Sequence, residues 1–347
     1  MRKITLLSLY LLLCINLLSL NFNVSIWGDR NIREVYFKVL NGNYLLYIKG
    51  KQVIDIPTDS VLKLRLSTKK MIEVIYNNSF ICSSDSIVIE GKGFKPYFKI
   101  YIDSLDNEYV YENNLLLFYN DKSIRMINDV DVENYVAGVV QAESGNKATI
   151  EYYKVQAIIC RTYAIAYLNR HIDEGYELCD KAHCQVYKGK CTNPEILMAT
   201  YSTRGKIIVD DDSNVINASF HANCGGMTEN SENVWYAKVP YLIAVEDPYE
   251  SPNYRYSNWS YEYTPQEVKK MLEDNGYDIG DVINIEITDM SVSGRAIELV
   301  VTGTKGRAVY TKERTKQVVS PVLPSQKFYV TNDSVLAVQN GDHQIFT

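Results

Sequence analysis

The side chains best suited to chemistry are concentrated in one stretch of the sequence, residues 131–203. This stretch contains four of the seven cysteines and two of the four histidines, namely Cys160, Cys179, Cys184, Cys191, His171 and His183. Glu143 lies between two patterns that are typical of helices. Thiolates and imidazoles bind metals such as zinc, and a carboxyl group can act as a general acid. If the protein catalyses a reaction, we expect the reaction to involve this stretch.

The spacing of the cysteines leaves two interpretations open. Four residues separate Cys179 from Cys184, and six separate Cys184 from Cys191. Zinc ribbons use a tighter two-residue spacing, so the pattern alone favours disulfides in an exported protein. Zinc stays open as the second interpretation, because histidines lie in the same stretch.

Two helices are expected to position these residues. The first has one apolar stripe at helical spacing, formed by Val132, Tyr135, Val136, Val139 and Val140. Asp131 is expected to cap its start, and Gly145 to end it just after Glu143. The second is predicted from about residue 149 to 169, with an apolar face formed by Tyr152, Val155, Ile159, Tyr163 and Ala166. Polar residues interrupt this apolar face. They either hydrogen-bond to partners in the core or form the wall of a site.

The sequence predicts an α+β fold, with a β-rich N-terminal region followed by a mixed α/β domain of catalytic type. Short runs of strand-forming residues fill residues 26–120, separated by Asn, Gly, Asp and Ser turns. Leu62, Leu64 and Leu66 alternate with Lys63 and Arg65, which indicates a strand with one solvated face. Because helical periodicity begins near residue 129, we expect the mixed domain to span residues 121–347.

Residues 1–25 have the pattern of a secretory signal. Arg2 and Lys3 precede a short apolar run that ends at Leu20. The run is short for a helix that crosses a membrane, so we expect membrane attachment only through an uncleaved signal. The protein is therefore expected to be exported, to the periplasm or cell envelope. Its net charge of −6 provides no basic surface, and we expect no nucleic-acid partner.

Five motifs follow one another between residues 129 and 247: GVVQAES, KVQAIICRTYA, CDKAHCQVYKG, NCGGMTENSENVW and PYLIAVEDPY. In this order they resemble the stage II sporulation protein D family and its relatives, the amidase enhancers. Five ordered motifs make the resemblance specific, whereas any one alone would be weak. Members of that family usually continue into a Gly- and His-rich segment, which this sequence does not contain before its last residues, NGDHQIFT.

The resemblance implies that Glu143 is the catalytic acid of a peptidoglycan lytic transglycosylase. Such an enzyme cleaves the bond between N-acetylmuramic acid and N-acetylglucosamine in glycan strands. One carboxyl group suffices, because it protonates the leaving oxygen and then removes the proton of the sugar's own 6-hydroxyl, which closes a 1,6-anhydro ring. We therefore expect a partly apolar setting that keeps the carboxyl group protonated, in a groove partly walled by the Gly225–Thr228 loop.

The resemblance also implies further site residues. The polar or glycine positions expected to line a glycan cleft are Gln156, Arg161, Thr162, Gln185, Tyr187, Gly225, Gly226 and Thr228. For the polar ones, a buried hydrogen-bonding role is an equal alternative. A structural zinc is implied on His171, Cys179 and Cys184, and whether His183 is also a ligand stays open. Cys191 and Cys224 lie outside this ligand set and could pair with each other.

A second function from a different class stays open. The amidase-enhancer relatives imply a non-catalytic, wall-binding protein that stimulates an N-acetylmuramoyl-L-alanine amidase. The expected partners are accordingly peptidoglycan glycan strands and a cell-wall amidase. Release of 1,6-anhydro products by the purified protein alone would favour the enzyme over the enhancer.

Overall fold

A computed structural model describes residues 20–102, 109–235, 237–249, 259–319, 322–332 and 336–339. The chain divides into two compact units, residues 1–220 and 221–347. Both contain strands and helices, and the predicted α+β class is confirmed. The sequence predicted a boundary at residue 120, but strands and helices from both sides of this residue share one core in the first unit.

An eleven-stranded sheet forms the base of the first unit. Its strands are β1 Asn21–Ile26, β2 Glu34–Ile48, β3 Lys51–Ile56, β4 Val61–Leu66, β5 Ile72–Tyr76, β6 Ser79–Ser84, β7 Ser86–Tyr101, β8 Tyr109–Glu112, β9 Asn114–Asn120, β10 Ser123–Asp131 and β11 Leu178–Cys179. They follow the order β11-β1-β10-β9-β7-β2-β4-β5-β6, with β3 on β2 and β8 on β7. The strand β1 pairs antiparallel with β10 and parallel with β11, which fixes the cysteine-containing segment to the sheet.

The predicted signal sequence lies, up to residue 19, outside the described residues. Its last part is structured, because Asn21–Ile26 forms β1, with Phe22 and Val24 buried. Among the helices of the described ranges, none combines the length and the apolar character needed to cross a bilayer.

The alternation predicted in β4 is confirmed. Leu62, Leu64 and Leu66 are buried on the core face. Lys63 and Arg65 point away from it and form ion pairs with acidic residues of the neighbouring strands. Alternate side chains of the strand thus face the core and the solvent, as the sequence indicated.

The first unit has three helices: α1 Val132–Ser144, α2 Ile150–Ala166 and α3 Pro194–Ser202. The first helix packs on strands β1 and β10, and the other two pack on α1 and on each other. A short 3-10 helix, Ile172–Glu174, follows α2. Asp131 caps α1, since its carboxylate accepts hydrogen bonds from the N–H groups of Glu133 and Asn134. The whole predicted apolar stripe of α1 is buried, so this prediction is confirmed.

The buried face of α2 differs from the predicted one. Tyr152 and Val155 are 47% and 56% exposed, whereas Gln156, Cys160 and Arg161 are buried. The helix directs polar side chains into the core because Arg161 is paired there, as described below. Apolar periodicity takes no account of a buried ion pair, and the predicted apolar face was therefore wrong.

The second unit contains two three-stranded sheets. Its elements are α4 Ser231–Val234, β12 Ser260–Tyr263, α5 Pro265–Asp274, β13 Val282–Met290, β14 Ala296–Gly303, β15 Arg307–Thr311, a 3-10 helix Lys312–Gln317, β16 Tyr329–Asn332 and β17 Leu336–Gln339. The start of α5 is a capping box in which the side chains of Thr264 and Glu267 each accept a hydrogen bond from the other's N–H group. Val268 and Leu272 anchor this helix in the core of the unit.

Candidate functional site

Glu143 lies in the last turn of α1 with an exposed side chain. Its Oε1 accepts a 2.8 Å hydrogen bond from the backbone N–H of Val186. The predicted glycine stop is confirmed, since Gly145 has a φ of 68° and its N–H bonds the carbonyl of Gln141. The helix thus presents a carboxyl group at its end, against the segment 179–187. Within the described residues of the first unit, the predicted apolar setting around this group is not observed.

The segment that contacts Glu143 is anchored to the sheet by hydrogen bonds. Asp180, which is buried, accepts a 2.9 Å hydrogen bond at Oδ2 from the N–H of Trp27. Its own carbonyl accepts a bond from the N–H of Tyr187. The Tyr187 hydroxyl in turn donates to Oδ1 of Asn128 at 2.9 Å, in the interior. These bonds join the segment to β1 and β10.

Gly138 allows α1 to approach this segment closely. A Cβ added at Gly138 would lie 2.7 Å from Cε2 of Tyr187 and would also collide with the carbonyl oxygen of Gly189. Tyr187 is 3% exposed and fills the space that the glycine leaves. Its contacts in the first unit are those of a packing and hydrogen-bonding group, and its place in a glycan cleft stays a prediction.

Four potential metal ligands meet beside the same segment. Ligand atoms of His171, Cys179, His183 and Cys184 all lie within 4.8 Å of one another. Nδ1 of His183 is 3.9 Å from the sulfur of each cysteine. Two thiols and two imidazoles are a donor set that suits a tetrahedral structural zinc. The structure therefore brings the three predicted ligands together, and it adds His183, which the sequence had left open.

The surroundings of His171 fit a metal ligand. Its Nε2 is buried and has no hydrogen-bond partner within the described ranges. Its Nδ1 lies 2.6 Å from Oε1 of Glu174, and this hydrogen bond is the main cause that lowers the pKa of Glu174. Histidine ligands commonly bond a carboxylate through the second ring nitrogen, which fixes the ring and its tautomer. Glu174 thus orients His171 and leaves Nε2 directed at the cluster.

One of the two thiols in the cluster loses its proton readily. The hydrogen bond between the thiols is the main cause that lowers the pKa of Cys179 to about 4 and raises the pKa of Cys184. The N–H of Cys179 lies 3.4 Å from the Cys184 sulfur. The thiolate is the form of cysteine that binds metal. The lowered pKa of Cys179 therefore favours the form that a metal ligand needs.

The disulfide interpretation is not realised in the structure. All six cysteines of the described ranges are thiols. Neither Cys191 nor Cys224 forms a disulfide in the structure. The Cys191 thiol lies in the first unit and donates to the carbonyl of Asn193, whereas the Cys224 thiol lies in the second unit and donates to Asp247.

Arg161 is the centre of a buried ion pair that the sequence did not reveal. It pairs with Glu133 of α1 through bonds of 2.5 and 3.2 Å, and both residues are 1% exposed. Its guanidinium also donates to the carbonyls of Thr200 and Lys206, and Glu133 accepts from the N–H of Gly205. Arg161 therefore has a buried hydrogen-bonding role, which was the alternative to its lining a glycan cleft. Glu133 escaped detection because an acidic residue in a first helical turn is usually solvent-exposed.

Other predicted cleft residues of the first unit are also buried. The Thr162 hydroxyl accepts a 3.0 Å bond from the N–H of Ile208, and Gln156 donates to the Cys160 sulfur. Gln185 is 2% exposed, and its Nε2 has no hydrogen-bond partner among the residues that the structure describes. The first two thus support the surrounding elements, whereas Gln185 retains an unused donor next to the Val186 contact of Glu143.

Gly225, Gly226 and Thr228 belong to a tight loop of the second unit. The glycines have φ values of 69° and 87°, a region that favours glycine. The Thr228 hydroxyl accepts a 2.7 Å bond from the N–H of Val245 and donates to the carbonyl of Ile243. The backbone thus bends sharply at the two glycines. The placement of this loop beside Glu143 stays a prediction, as does its contact with glycan.

Two family models match the chain. Stage II sporulation protein (SpoIID) matches residues 120–209, and a Domain of unknown function (DUF8618) matches residues 209–345. The first match contains α1, α2, α3, Glu143 and all four residues of the metal-ligand cluster.

Three relatives align with all or part of the chain. An uncharacterized protein of Brachyspira hyodysenteriae is 25% identical over 319 residues, which are 91% of this chain and 82% of that protein. Stage II sporulation protein D of Bacillus subtilis is 33% identical over 147 residues, covering 37% of this chain and 43% of the relative. The amidase enhancer of Bacillus subtilis is 35% identical over 110 residues, 32% of this chain and 15% of the relative. The chain thus matches less than half the length of these two named relatives. The ordered motifs, the family model over residues 120–209 and the two named relatives show that this part of the chain is similar to the stage II sporulation protein D and amidase enhancer family.

Proposed function

We propose that the protein is a lytic transglycosylase of peptidoglycan and that Glu143 is its general acid and base. The observation that carries this proposal is the placement of Glu143, exposed at the end of α1 and held by the Val186 N–H at 2.8 Å. A long glycan strand can reach a carboxyl group at the edge of an element. The match of residues 120–209 to the stage II sporulation protein family model supports the assignment.

The proposed reaction needs one carboxyl group and no water. Glu143 donates a proton to the oxygen of the glycosidic bond as the bond from the N-acetylmuramic acid carbon to that oxygen breaks. The 6-hydroxyl oxygen of the same sugar then bonds to that carbon and loses its proton to the Glu143 carboxylate. The products are a 1,6-anhydro end and a new free hydroxyl, and Glu143 is protonated again. General acid–base catalysis of this kind contributes about 10²–10⁴-fold to a rate.

The experiment is mass spectrometry of glycan strands incubated with the purified full chain, both intact and stripped of stem peptides. Glu143→Gln retains the shape and an amide oxygen that can accept the Val186 hydrogen bond, but it removes the proton-transfer group. We expect this variant to fold normally and to form anhydro ends about 10²–10⁴-fold more slowly. The matched control is Glu151→Gln, which changes an exposed carboxylate of α2 that pairs with a helix neighbour, Lys154. Equal anhydro release by wild type and Glu143→Gln would refute the assignment.

We also propose that one structural zinc is held by His171, Cys179, His183 and Cys184. Bound there, the ion would supply no acid–base chemistry but would tie the loop after α2 to β11 and to the turn that follows it, because its ligands come from these three places. The same loop continues to Val186, which holds Glu143. The unpartnered, buried Nε2 of His171 supports the proposal.

Metal analysis of protein purified without chelator tests the zinc proposal. We expect close to one zinc per chain, and a large loss in Cys184→Ser. Cys82→Ser is the control, because Cys82 lies in β6 outside the cluster. A Cys179–Cys184 disulfide in the purified protein, or equal zinc contents in the two variants, would contradict the site.

The second candidate function is enhancement of a cell-wall amidase. It is favoured by one observation, the match of 110 residues to a protein named amidase enhancer. The test adds a purified N-acetylmuramoyl-L-alanine amidase to each reaction. If the protein alone releases no anhydro product from either glycan but increases the amidase rate, the enhancer function replaces the enzymatic one.

We further propose that the protein acts outside the cytoplasm, because Arg2 and Lys3 precede an apolar run typical of a secretory signal. Fractionation of cells expressing the full chain tests this. Full-length protein in the soluble cytoplasmic fraction, with residues 1–20 still attached, would contradict it.

A further inference from the structure

Strand β7 contains a bulge, residues 93–96, that exposes a phenylalanine ring. These four residues interrupt the pairing of β7 with β2. The side-chain amide of Asn41 fixes the bulge, because its Nδ2 donates to the carbonyls of Phe94 and Lys95, at 3.2 and 2.8 Å. Phe94 is nevertheless 84% exposed. A backbone fixed by hydrogen bonds thus holds an apolar ring in the solvent.

Phe94 is one of three exposed apolar side chains near the start of α1. Met198 of α3 is 57% exposed, and it lines a pocket of about 360 Å³ together with Phe94 and Asn134, which lies in the first turn of α1. Leu20 is 51% exposed, and its carbonyl accepts a 2.9 Å hydrogen bond from the N–H of Val132, the first residue of α1. We call Leu20, Phe94 and Met198 the apolar patch. Single exposed apolar side chains are normal, whereas several near one another indicate contact with a protein or a membrane.

The charged groups beside the apolar patch are partners of one another. Glu112, Lys190 and Lys95 all line the pocket. Burial raises the pKa of Glu112, and the charges of Lys190 and Lys95 partly offset this rise. The ammonium of Lys95 also lies 5.5 Å from the centre of the Phe94 ring. A lysine beside an exposed ring suits a membrane interface, because its apolar stem lies along the apolar region while its ammonium reaches the headgroups.

The apolar run of the sequence reaches the folded unit at this same place. The run follows Lys3 and ends at Leu20, and Phe22 of β1 is already buried in the core. One residue of extended chain spans at most about 3.6 Å. The single residue between Leu20 and Phe22 therefore fixes the end of the run within a few Å of the start of α1. A bilayer that contained this run would lie next to the apolar patch.

We propose that the apolar patch docks the first unit on the surface of a phospholipid bilayer, in addition to the attachment that an uncleaved signal provides. Phe94 and Met198 insert among the headgroups and remove apolar surface from water, while the ammonium of Lys95 stays at the headgroup level. The choice of a bilayer over a protein partner rests on the apolar run that reaches Leu20 and on the proposed location outside the cytoplasm. Glu143 is at the other end of α1, nine residues beyond Asn134 and roughly 13 Å along the helix. The carboxyl group proposed for glycan cleavage is therefore not part of the docked surface.

The test is photo-crosslinking of the full chain reconstituted in vesicles of phosphatidylethanolamine and phosphatidylglycerol. The photoreactive analogue p-benzoylphenylalanine replaces Phe94 or Met198 in two variants and Phe80 in the control. Phe80 is also exposed, at 63%, but it belongs to β6, four strands from β7 in the sheet and roughly 19 Å away at the usual strand spacing. Replacements at such exposed positions should leave the fold intact. We expect mass spectrometry to detect lipid adducts at positions 94 and 198 and none at position 80.

The outcomes separate the docking surface from the proposed catalytic function. Crosslinking requires no catalysis, so adding Glu143→Gln to the photoreactive variants should leave the adducts unchanged. If adducts form but no anhydro product is ever released, the catalytic proposal fails and the docking surface stands. Recovery of the full chain free of vesicles, absence of lipid adducts at both positions 94 and 198, or an equal yield of adduct at position 80 would overturn the docking surface. Cell fractionation tests the location outside the cytoplasm separately.

Discussion

The buried pair of Glu133 and Arg161 can be tested as a structural element by removing each partner. Both residues are 1% exposed, and their side chains bridge α1 to α2. Removing one member of a buried ion pair leaves an uncompensated charge and costs about 3–5 kcal/mol. If the pair instead belonged to a substrate site, its loss would reduce glycan binding with little effect on the free energy of unfolding.

The structure predicts that the two single replacements are unequal. Arg161→Met leaves the Glu133 carboxylate with one remaining donor, the N–H of Gly205 at 3.2 Å. Glu133→Gln leaves the guanidinium with carbonyl acceptors, those of Lys206 at 3.1 Å and Thr200 at 3.3 Å, besides the new amide oxygen. We therefore expect a loss of about 5 kcal/mol for Arg161→Met and about 3 kcal/mol for Glu133→Gln. The double variant should lose about 1–3 kcal/mol less than the sum of the two.

Urea unfolding measures these differences if the first unit is observed by itself. Trp27 is buried in the first unit, whereas Trp235 and Trp259 belong to the second. A background with both of the latter changed to Phe leaves Trp27 as the single tryptophan of the chain, which contains three in total. With a slope of about 2–3 kcal/mol per molar urea, Arg161→Met should lower the midpoint by roughly 2 M. A loss below about 1 kcal/mol together with weaker glycan binding would refute the structural role.

Three further predictions concern other parts of the first unit. Gly138→Ala should reduce the free energy of unfolding by about 1–3 kcal/mol, measured by the same urea assay, because the new methyl group would overlap Tyr187; an unchanged midpoint would contradict this close approach. Removing the proposed zinc with chelator should lower the melting temperature of wild type but not of Cys184→Ser; equal shifts would speak against the site. Burial raises the pKa of Glu112 above its ordinary value of 4.5. The folded state therefore holds this proton more tightly than the unfolded chain does. As a result, the free energy of unfolding decreases as the pH rises from 4.5 through the raised pKa. Glu112→Gln should therefore be more stable than wild type at neutral pH, and the difference measured by urea unfolding should diminish towards pH 4; a constant difference would refute it.

Local rules predicted the parts of the site that depend on neighbours in sequence. The cap at Asp131, the apolar stripe of α1 and the glycine stop at Gly145 each involve residues within one or two helical turns. These features are decided by backbone geometry and short-range hydrogen bonds, which one sequence contains in full.

Features that depend on distant partners were not predictable in the same way. The inward face of α2 follows from Arg161 meeting Glu133, which is 28 residues away in the sequence. The boundary expected at residue 120 failed because β9 and β10, on its two sides, are adjacent strands of one sheet. The burial of Glu112 was equally hidden, because the residues that surround the pocket it lines come from β2, β7, α1 and α3. In each case the deciding contact is tertiary and outweighs the local pattern.

The position of Glu143 depends on contacts that lie away from its carboxyl group. The pair of Glu133 and Arg161 holds the start of α1, and Gly138 sets the distance of its middle from Tyr187. Because a helix moves largely as one body, loosening either contact should displace the carboxyl group at its end. A displacement of about 1 Å can reduce a rate by about a hundredfold even when the chemical groups are intact. Lower activity in Arg161 or Gly138 variants therefore does not by itself indicate contact with glycan. Variants that act through position should lose stability and rate together, whereas Glu143→Gln should lose rate alone, so that measuring both quantities on the same set of proteins distinguishes proton transfer from positioning.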